Sequence, residues 1–274
     1  MSARYPLVRN PNAFSTLAGV SSSPSRVGSS PISASNCLIN SCIIVLFYLC
    51  APATLPAQSA DALYAGRRDL SSARRAAAIW RAQLAQDPQS FEAAWKLSRA
   101  SYWIGGHAPA QQGRGDFEAG IEAGRRASAL APARPEGHFW LAANMGALAE
   151  SYGLRQGIKY RKPVKEALET VLRLDPAFEQ GSADRALGRW YAKVPRVFGG
   201  SRRLAEEHLR KSLTYNPHST ASHYFLAEVM LDEGRRDEAW SELQRVLDAP
   251  LDRDWGPEDL DFKEKAERLL RTLR

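Results

Sequence analysis

Cysteine is scarce in this chain of 274 residues: Cys37, Cys42 and Cys50 are its only three, all within the first 60 positions. Past residue 60 there can be no disulfide framework, thiol nucleophile or thiolate metal site. Acid is missing from the same stretch, where residues 1–60 carry Arg4, Arg9 and Arg26 but no Asp or Glu. Setting those three aside turns 37 basic and 30 acidic side chains into 34 and 30, so the formal charge of +7 falls to +4 for the remainder. So mild a surplus gives no argument for nucleic acid. GxSxG, P-loop, HExxH and GxGxxG motifs do not occur, and His107, His138, His208, His218 and His223 show no metal-ligand spacing. No catalytic residue, metal or cofactor is therefore expected. Alternating β-branched runs are also lacking after residue 60, where alanine, leucine, arginine and glutamate dominate in helical patterns.

Long apolar runs are absent too. "CIIVLFYLCAPA" at 42–53 is the strongest; as a helix of about a dozen residues it would reach roughly 18 Å against a hydrocarbon core of about 30 Å. That is short for a membrane span and right for a secretory signal, with small residues after it where a peptidase could cut. The polar lead before it is long for a signal, which points to a true translation start nearer Val27 or Leu38. Cys50 at the end of the run offers a second reading, lipidation as the first mature residue, although Leu49 is bulky for a lipobox. Residues 1–60 are thus read as a disordered lead plus signal or anchor segment, and 61–274 as one domain.

Within that domain prolines recur at Pro88, Pro132, Pro176, Pro217 and Pro250, spaced 44, 44, 41 and 33 residues apart. Twelve, eight and five residues before Pro176 stand Val164, Leu168 and Val171, and the same offsets before Pro217 give Ala205, Leu209 and Ser212. Before Pro88 they give Ala76, Trp80 and Gln83, with Leu84 next to the last. Before Pro132 they give Gly120, Gly124 and Ala127, a copy without large residues. Ala239, Leu243 and Val246 precede Pro250 one residue early. Steps of four and three put each set on one helical face. Downstream, a leucine followed by a small residue appears at Leu97, Leu141, Leu187 and Leu226, at 9, 9, 11 and 9 residues after a proline. This is tetratricopeptide (TPR) grammar, a helix A and a helix B followed by a proline that ends the hairpin. It predicts an all-α, right-handed TPR-like helical-repeat solenoid with a C-terminal capping helix near 257–273.

Leucine-to-proline distances of 35, 35, 30 and 24 show that the first three repeats carry extra residues. These are predicted as long A–B loops gathered on one edge of the solenoid. "GGHAPAQQGRG" reads as flexible; "SYGLRQGIKYRKP" brings Lys159 and Arg161, with Pro163 suited to a helix first turn; "KVPRVFGGSRR" brings Lys193, Arg196 and Phe198. The edge is a candidate partner surface, and the turn Gly199, Gly200, Ser201 a candidate anion site through free N–H groups. The inner surface of such a solenoid comes from A helices, so Trp95, Arg99, Tyr102, Trp103, Asn144, Arg189, Tyr224 and Glu228 are candidate groove residues. Tyr191 and Phe139 are read as core, the commoner fate of aromatic side chains at helical spacing.

"ALGRWYAKVPRVFGGSRRLAEEHLRKSL", with "EGHFWLAANMGAL" before it and "STASHYFLAEVM" after it, resembles the T component of bacterial TRAP transporters, TatT-like TPR proteins. The resemblance spans roughly 62–272 and is most specific at 194–201. It implies a periplasmic, often lipid-anchored protein that oligomerises around a pore. It also implies pairing with a solute-binding protein that carries organic acids or other small hydrophobic ligands. The alternative is a general cell-envelope scaffold with no solute role. A cytosolic carboxylate-clamp co-chaperone is disfavoured, because Trp95 and Arg99 stand where the clamp needs Lys and Asn.

Overall fold

The computed structural model describes residues 59–273; the signal segment and Cys50 lie outside the described residues. Among the described residues eleven helices follow in order: α1 (Ala60–Ala65), α2 (Leu70–Gln86), α3 (Phe91–His107), α4 (Ala110–Leu130), α5 (Pro135–Ser151), α6 (Leu154–Leu174), α7 (Phe178–Lys193), α8 (Arg202–Tyr215), α9 (Thr220–Asp232), α10 (Arg236–Asp248) and α11 (Gly256–Leu273). A 3₁₀ turn, Arg196–Phe198, interrupts the link from α7 to α8. Among the described residues there is no strand.

Five antiparallel pairs arise, from α1/α2 to α9/α10; Pro88, Pro132, Pro176 and Pro217 fall between pairs and Pro250 separates the last pair from α11. The chemistry of these links repeats. Asp87, Asp175 and Asn216 each stand before a proline, and each accepts the N–H two residues on, from Gln89, Ala177 and His218. This side-chain turn ends one hairpin. Ser90 and Ser219 then cap the next helices by accepting N–H groups of Ala93 and Ser222.

The face set by the offsets is the buried one. Trp80, Leu84, Val164, Leu168, Val171, Leu209, Leu243 and Val246 are all buried. The glycine-rich copy in α4 belongs to the same core, because Gly120, Gly124 and Ala127 are buried where other helices come close. Successive A helices also touch, α3 with α5, α5 with α7 and α7 with α9, which forms the inner layer.

Two of the three predicted loops are helix instead. The first insertion lengthens α3 and α4, leaving only Ala108 and Pro109 between them. Its glycines provide contact, not slack: a Cβ on Gly113 would stand 2.5 Å from the Gly105 carbonyl oxygen. The second insertion extends α6, because Tyr160 continues the apolar face of Val164, Leu168 and Val171 one turn upstream. Pro163 therefore lies inside α6, not in its first turn. The third insertion is a loop.

Candidate functional site

The last helix caps the array and also crosses its inner layer. Asp252 accepts N–H groups from Asp254 and Trp255, turning the chain into α11. Asp259 accepts from Thr220 Oγ1 (2.6 Å) and from the Asp252 N–H (2.8 Å), which pins the start of α11 to α9. Phe262 packs on Tyr224 and Phe225 of α9. Trp255 stacks on Trp140 of α5, with centroids 6.3 Å apart. The far side of α11 meets the other end of the molecule. Arg67, between α1 and α2, pairs with Glu258 and donates to the Asp254 carbonyl. Arg68 pairs with Glu264 at 3.1 Å, and His107 with Asp261 at 2.7 Å. Burial opposes the charge on His107, but its hydrogen bonds to Asp261 and the Trp103 carbonyl raise its pKa overall.

Beneath α11 lies a charged and aromatic interior. Arg189 is held by Glu150 (2.6 Å) and Glu228 (3.3 Å) and lies 4.4 Å over the Phe225 ring. Arg99 lies over Tyr64 (4.3 Å) and Trp95 (4.8 Å), and its buried Nε has no hydrogen-bond partner. Tyr102 rests against Phe117 and Trp140. It keeps 38% of its surface accessible. Burial pushes its phenol up, with Arg189 pulling the other way.

The most unusual backbone is at the start of α7. Glu179 (φ 42°), Gln180 (φ 59°) and Gly181 (φ 76°) form a left-handed run. Each of the first two costs about 1–2 kcal/mol relative to ordinary helix. The strain persists because neighbours fix it: Gln180 donates to Asp252 (3.1 Å) and accepts from Asn216, and a Cβ on Gly181 would meet Tyr215 at 2.6 Å. The run carries Glu179 to Arg99 and Arg185. Burial pushes its carboxyl up to about 7 against the pull of both arginines, and Oε2 is buried without a partner. A cavity of about 320 Å³ opens here, lined among others by Glu179, Arg185, Thr220, Trp255, Glu258 and Phe262.

Of the predicted groove residues, the structure gathers Trp95, Arg99, Tyr102, Arg189 and Glu228 in the inner layer. Tyr224 is covered by Phe262. Two belong to the core instead. Trp103 is 4% exposed and donates its Nε1 to the Arg67 carbonyl (2.7 Å). Asn144 is fully buried and ties α5 to α3 through the Ser98 carbonyl (2.9 Å). Sequence reasoning missed Arg67, Glu179, Arg185, Trp255 and Glu258.

On the edge, Arg161 lies 4.8 Å over Phe198, so the second and third insertions meet. The expected free N–H groups are not free. Gly199, Gly200 and Ser201 donate to the carbonyls of Arg196, Pro195 and Tyr191, and Ser201 caps α8. The turn closes on itself, which removes the basis for an anion site there. Leu154 (72% exposed), Ile158 (51%), Val197 (85%) and Phe198 (42%) remain open. Arg155, Lys159, Lys162 and Arg196 stand in the same two segments, with no acid pairing with them among the described residues.

Paired helices, recurrent Asx-Pro links and a shared inner layer define a TPR-type repeat protein. Residues 57–206, just over half of the chain, match the family model described as Regulator of microtubule dynamics protein 1-3, and the chain belongs to that family. Among solved structures it is similar to TTC0263, a thermophilic TPR protein of Thermus thermophilus, at 24% identity and a TM-score of 0.58, covering 77% of this chain and 95% of that one. MamA is more distant, at 18% identity and a TM-score of 0.45 over 74% of this chain and 95% of its own. No curated protein matches.

Proposed function

We propose that the protein is a non-catalytic scaffold that docks an acidic protein partner on its A–B edge. The observation that carries this is the surface made by the start of α6 and residues 194–201. Leu154, Ile158, Val197 and Phe198 are exposed there among unpaired Arg155, Lys159, Lys162 and Arg196. Exposed apolar side chains ringed by uncompensated charge mark an interaction surface. The family name attributes to its namesakes a regulation of microtubules, also exercised on a protein assembly. In a second reading the partner is the periplasmic solute-binding protein of a TRAP-type transporter, delivered with a small organic acid. That reading is favoured because residues 194–201, which carry the resemblance, form half of this surface.

A photo-crosslinking residue at Val197 in the full-length chain, expressed in its own cells, tests the proposal. An acidic partner should be captured at low salt and lost at high salt. Ile158→Glu should abolish capture without changing the fold. Equal capture by that variant, or capture indifferent to salt, would refute the edge. Recovery of a solute-binding protein separates the second reading from a general scaffold. Export, expected from residues 1–60, is checked by the fraction in which the chain is found.

A further inference from the structure

We propose that the cavity between α7, α9 and α11 is a binding site for a small carboxylate with an apolar body, held by Arg185. This site is separate from the edge, so either can fail without the other.

The argument begins with Arg185. It lies on α7 deep in the fold, yet part of its surface is accessible because it reaches the cavity. No hydrogen bond or ion pair to it exists among the described residues. Arg67 and Arg189, by contrast, are satisfied, the first by Glu258 and the second by Glu150 and Glu228. The Arg185 guanidinium is half-buried and bonds to no protein group among the described residues, so the N–H donors of its fork are open to a ligand from the cavity side. Arg99, on α3, lies outside the cavity lining and keeps a buried, unpartnered Nε. Both guanidinium groups act on Glu179, which lines the cavity beside Arg185, and the planar fork of Arg185 matches the oxygens of a carboxylate.

The remaining walls choose the body of the ligand. Trp255 and Phe262 line the cavity and offer aromatic faces. A space of about 320 Å³ admits a small molecule. The links around it are fixed, since Asp252 and Asp259 are occupied with Gln180, Thr220 and backbone N–H groups.

Glu179 gives the site a signature. Toward it face Arg99 from α3, Arg185 from its own helix, Glu136 from α5 and Glu258 from α11, with Tyr64 of α1 behind. His218, Asp252, Arg253 and Asp259 complete the charged and titratable rim of the cavity. Ionised Glu179 competes with an incoming carboxylate for Arg185. Protonated, it releases Arg185 and can donate a hydrogen bond from its buried oxygen. Binding should therefore take up a proton, and the left-handed run that holds Glu179 inward is how the fold enforces this coupling.

The test is titration of the purified full-length chain with phenylacetate and octanoate, followed by tryptophan fluorescence and calorimetry, with uncharged phenylacetamide as control. At least one carboxylate should bind in the millimolar range or tighter and phenylacetamide should not. From about pH 6 to about pH 8 affinity should fall about tenfold, the change in the protonated fraction of a group near 7. Glu179→Gln should bind with no such slope. Arg185→Met should lose at least tenfold while its thermal unfolding shows that it folds, and Arg185→Lys should retain part of the affinity. Equal binding of phenylacetamide, an Arg185→Met variant that binds like wild type, or no binding of either carboxylate would overturn the proposal. A flat pH profile in the wild-type chain would remove Glu179 from it.

Discussion

Replacing Gly120 by alanine should be far more damaging in the wild-type chain than in one that lacks the Asn144 amide. A Cβ on Gly120 would lie 2.1 Å from Asn144 Oδ1. That amide cannot step aside freely. Its Nδ2 donates to the Ser98 carbonyl (2.9 Å), Ser98 Oγ (3.2 Å) and the Trp140 carbonyl (2.8 Å), and Ser98 Oγ in turn donates to the Gly120 carbonyl (2.8 Å). Overpacking costs about 1–3 kcal/mol and displaced buried hydrogen bonds a similar amount. Alanine returns about 1 kcal/mol of helix propensity, so Gly120→Ala should cost about 3 kcal/mol. Asn144→Ala forfeits the three donations but also removes Oδ1, which is buried without a partner, so its cost is about 2 kcal/mol. In the double variant the new methyl enters the vacated space, and the total should be about 1–2 kcal/mol, a coupling of about 3 kcal/mol. Far-UV circular dichroism during heating reads this out. At about 2–4 °C per kcal/mol, the single variants should fall by roughly 4–12 °C and the double by less than Gly120→Ala alone. Melting shifts that add, within about 0.5 kcal/mol, would refute the contact between α4 and α5.

Trp80→Ala should cost about 3–5 kcal/mol in a urea titration, since the ring is 2% exposed and packs on Tyr64; a loss under about 0.5 kcal/mol would contradict its place in the core. Glu179 in the folded chain holds its proton up to about 7, while the unfolded chain releases it near the ordinary carboxyl value. Folding therefore weakens as pH rises between those values, and the penalty is complete above 7. Glu179→Gln should gain at most about 3 kcal/mol near pH 8 and nothing near pH 4. Urea midpoints across pH decide it, and a gain that does not grow with pH counts against the buried carboxyl. Arg67→Ala leaves Glu258 without its partner and frees the Asp254 carbonyl, a loss of about 2–4 kcal/mol. Hydrogen exchange should quicken in 256–273 while α9 and α10 keep their protection; uniform change across the chain would show that the pair does not hold α11 down.

The repeat was legible because its signals are local. Val164, Leu168 and Val171 share a face whatever else the chain does, and Asp-Pro ends a hairpin wherever it stands. The insertions misled because glycine reads as slack in sequence, whereas Gly105 and Gly113 bring α3 and α4 together. Asn144 was misplaced for a related reason: a polar residue on an A helix suggests a groove until Ser98 and Gly120 appear beside it. The left-handed run did leave a trace. Leu187 follows its proline by 11 residues where the other copies need 9, and the two extra positions fall where Glu179 and Gln180 turn inward. The path of α11 left none, because Glu258 finds Arg67 across 191 positions and no local pattern reports such a pairing.

That pairing changes how the array behaves. In an open solenoid each repeat answers only to its neighbours. Here the first repeat has an A helix of six residues, too short to bury much by itself. Its Tyr64 packs on Trp80, its Arg67 on Trp103, and Arg67 and Arg68 are held by Glu258 and Glu264 of the last helix. Joining points so distant in an unfolded chain would cost roughly 5 kcal/mol in loop entropy. The intervening repeats have already fixed those ends, so the latch meets only the cost of ordering α11. Releasing α11 would then do two things together, uncovering the cavity at Arg185 and loosening the first repeat. A ligand that needs the cavity covered must stabilise a hairpin it never touches, and slower exchange in 60–86 on adding that ligand would be its mark.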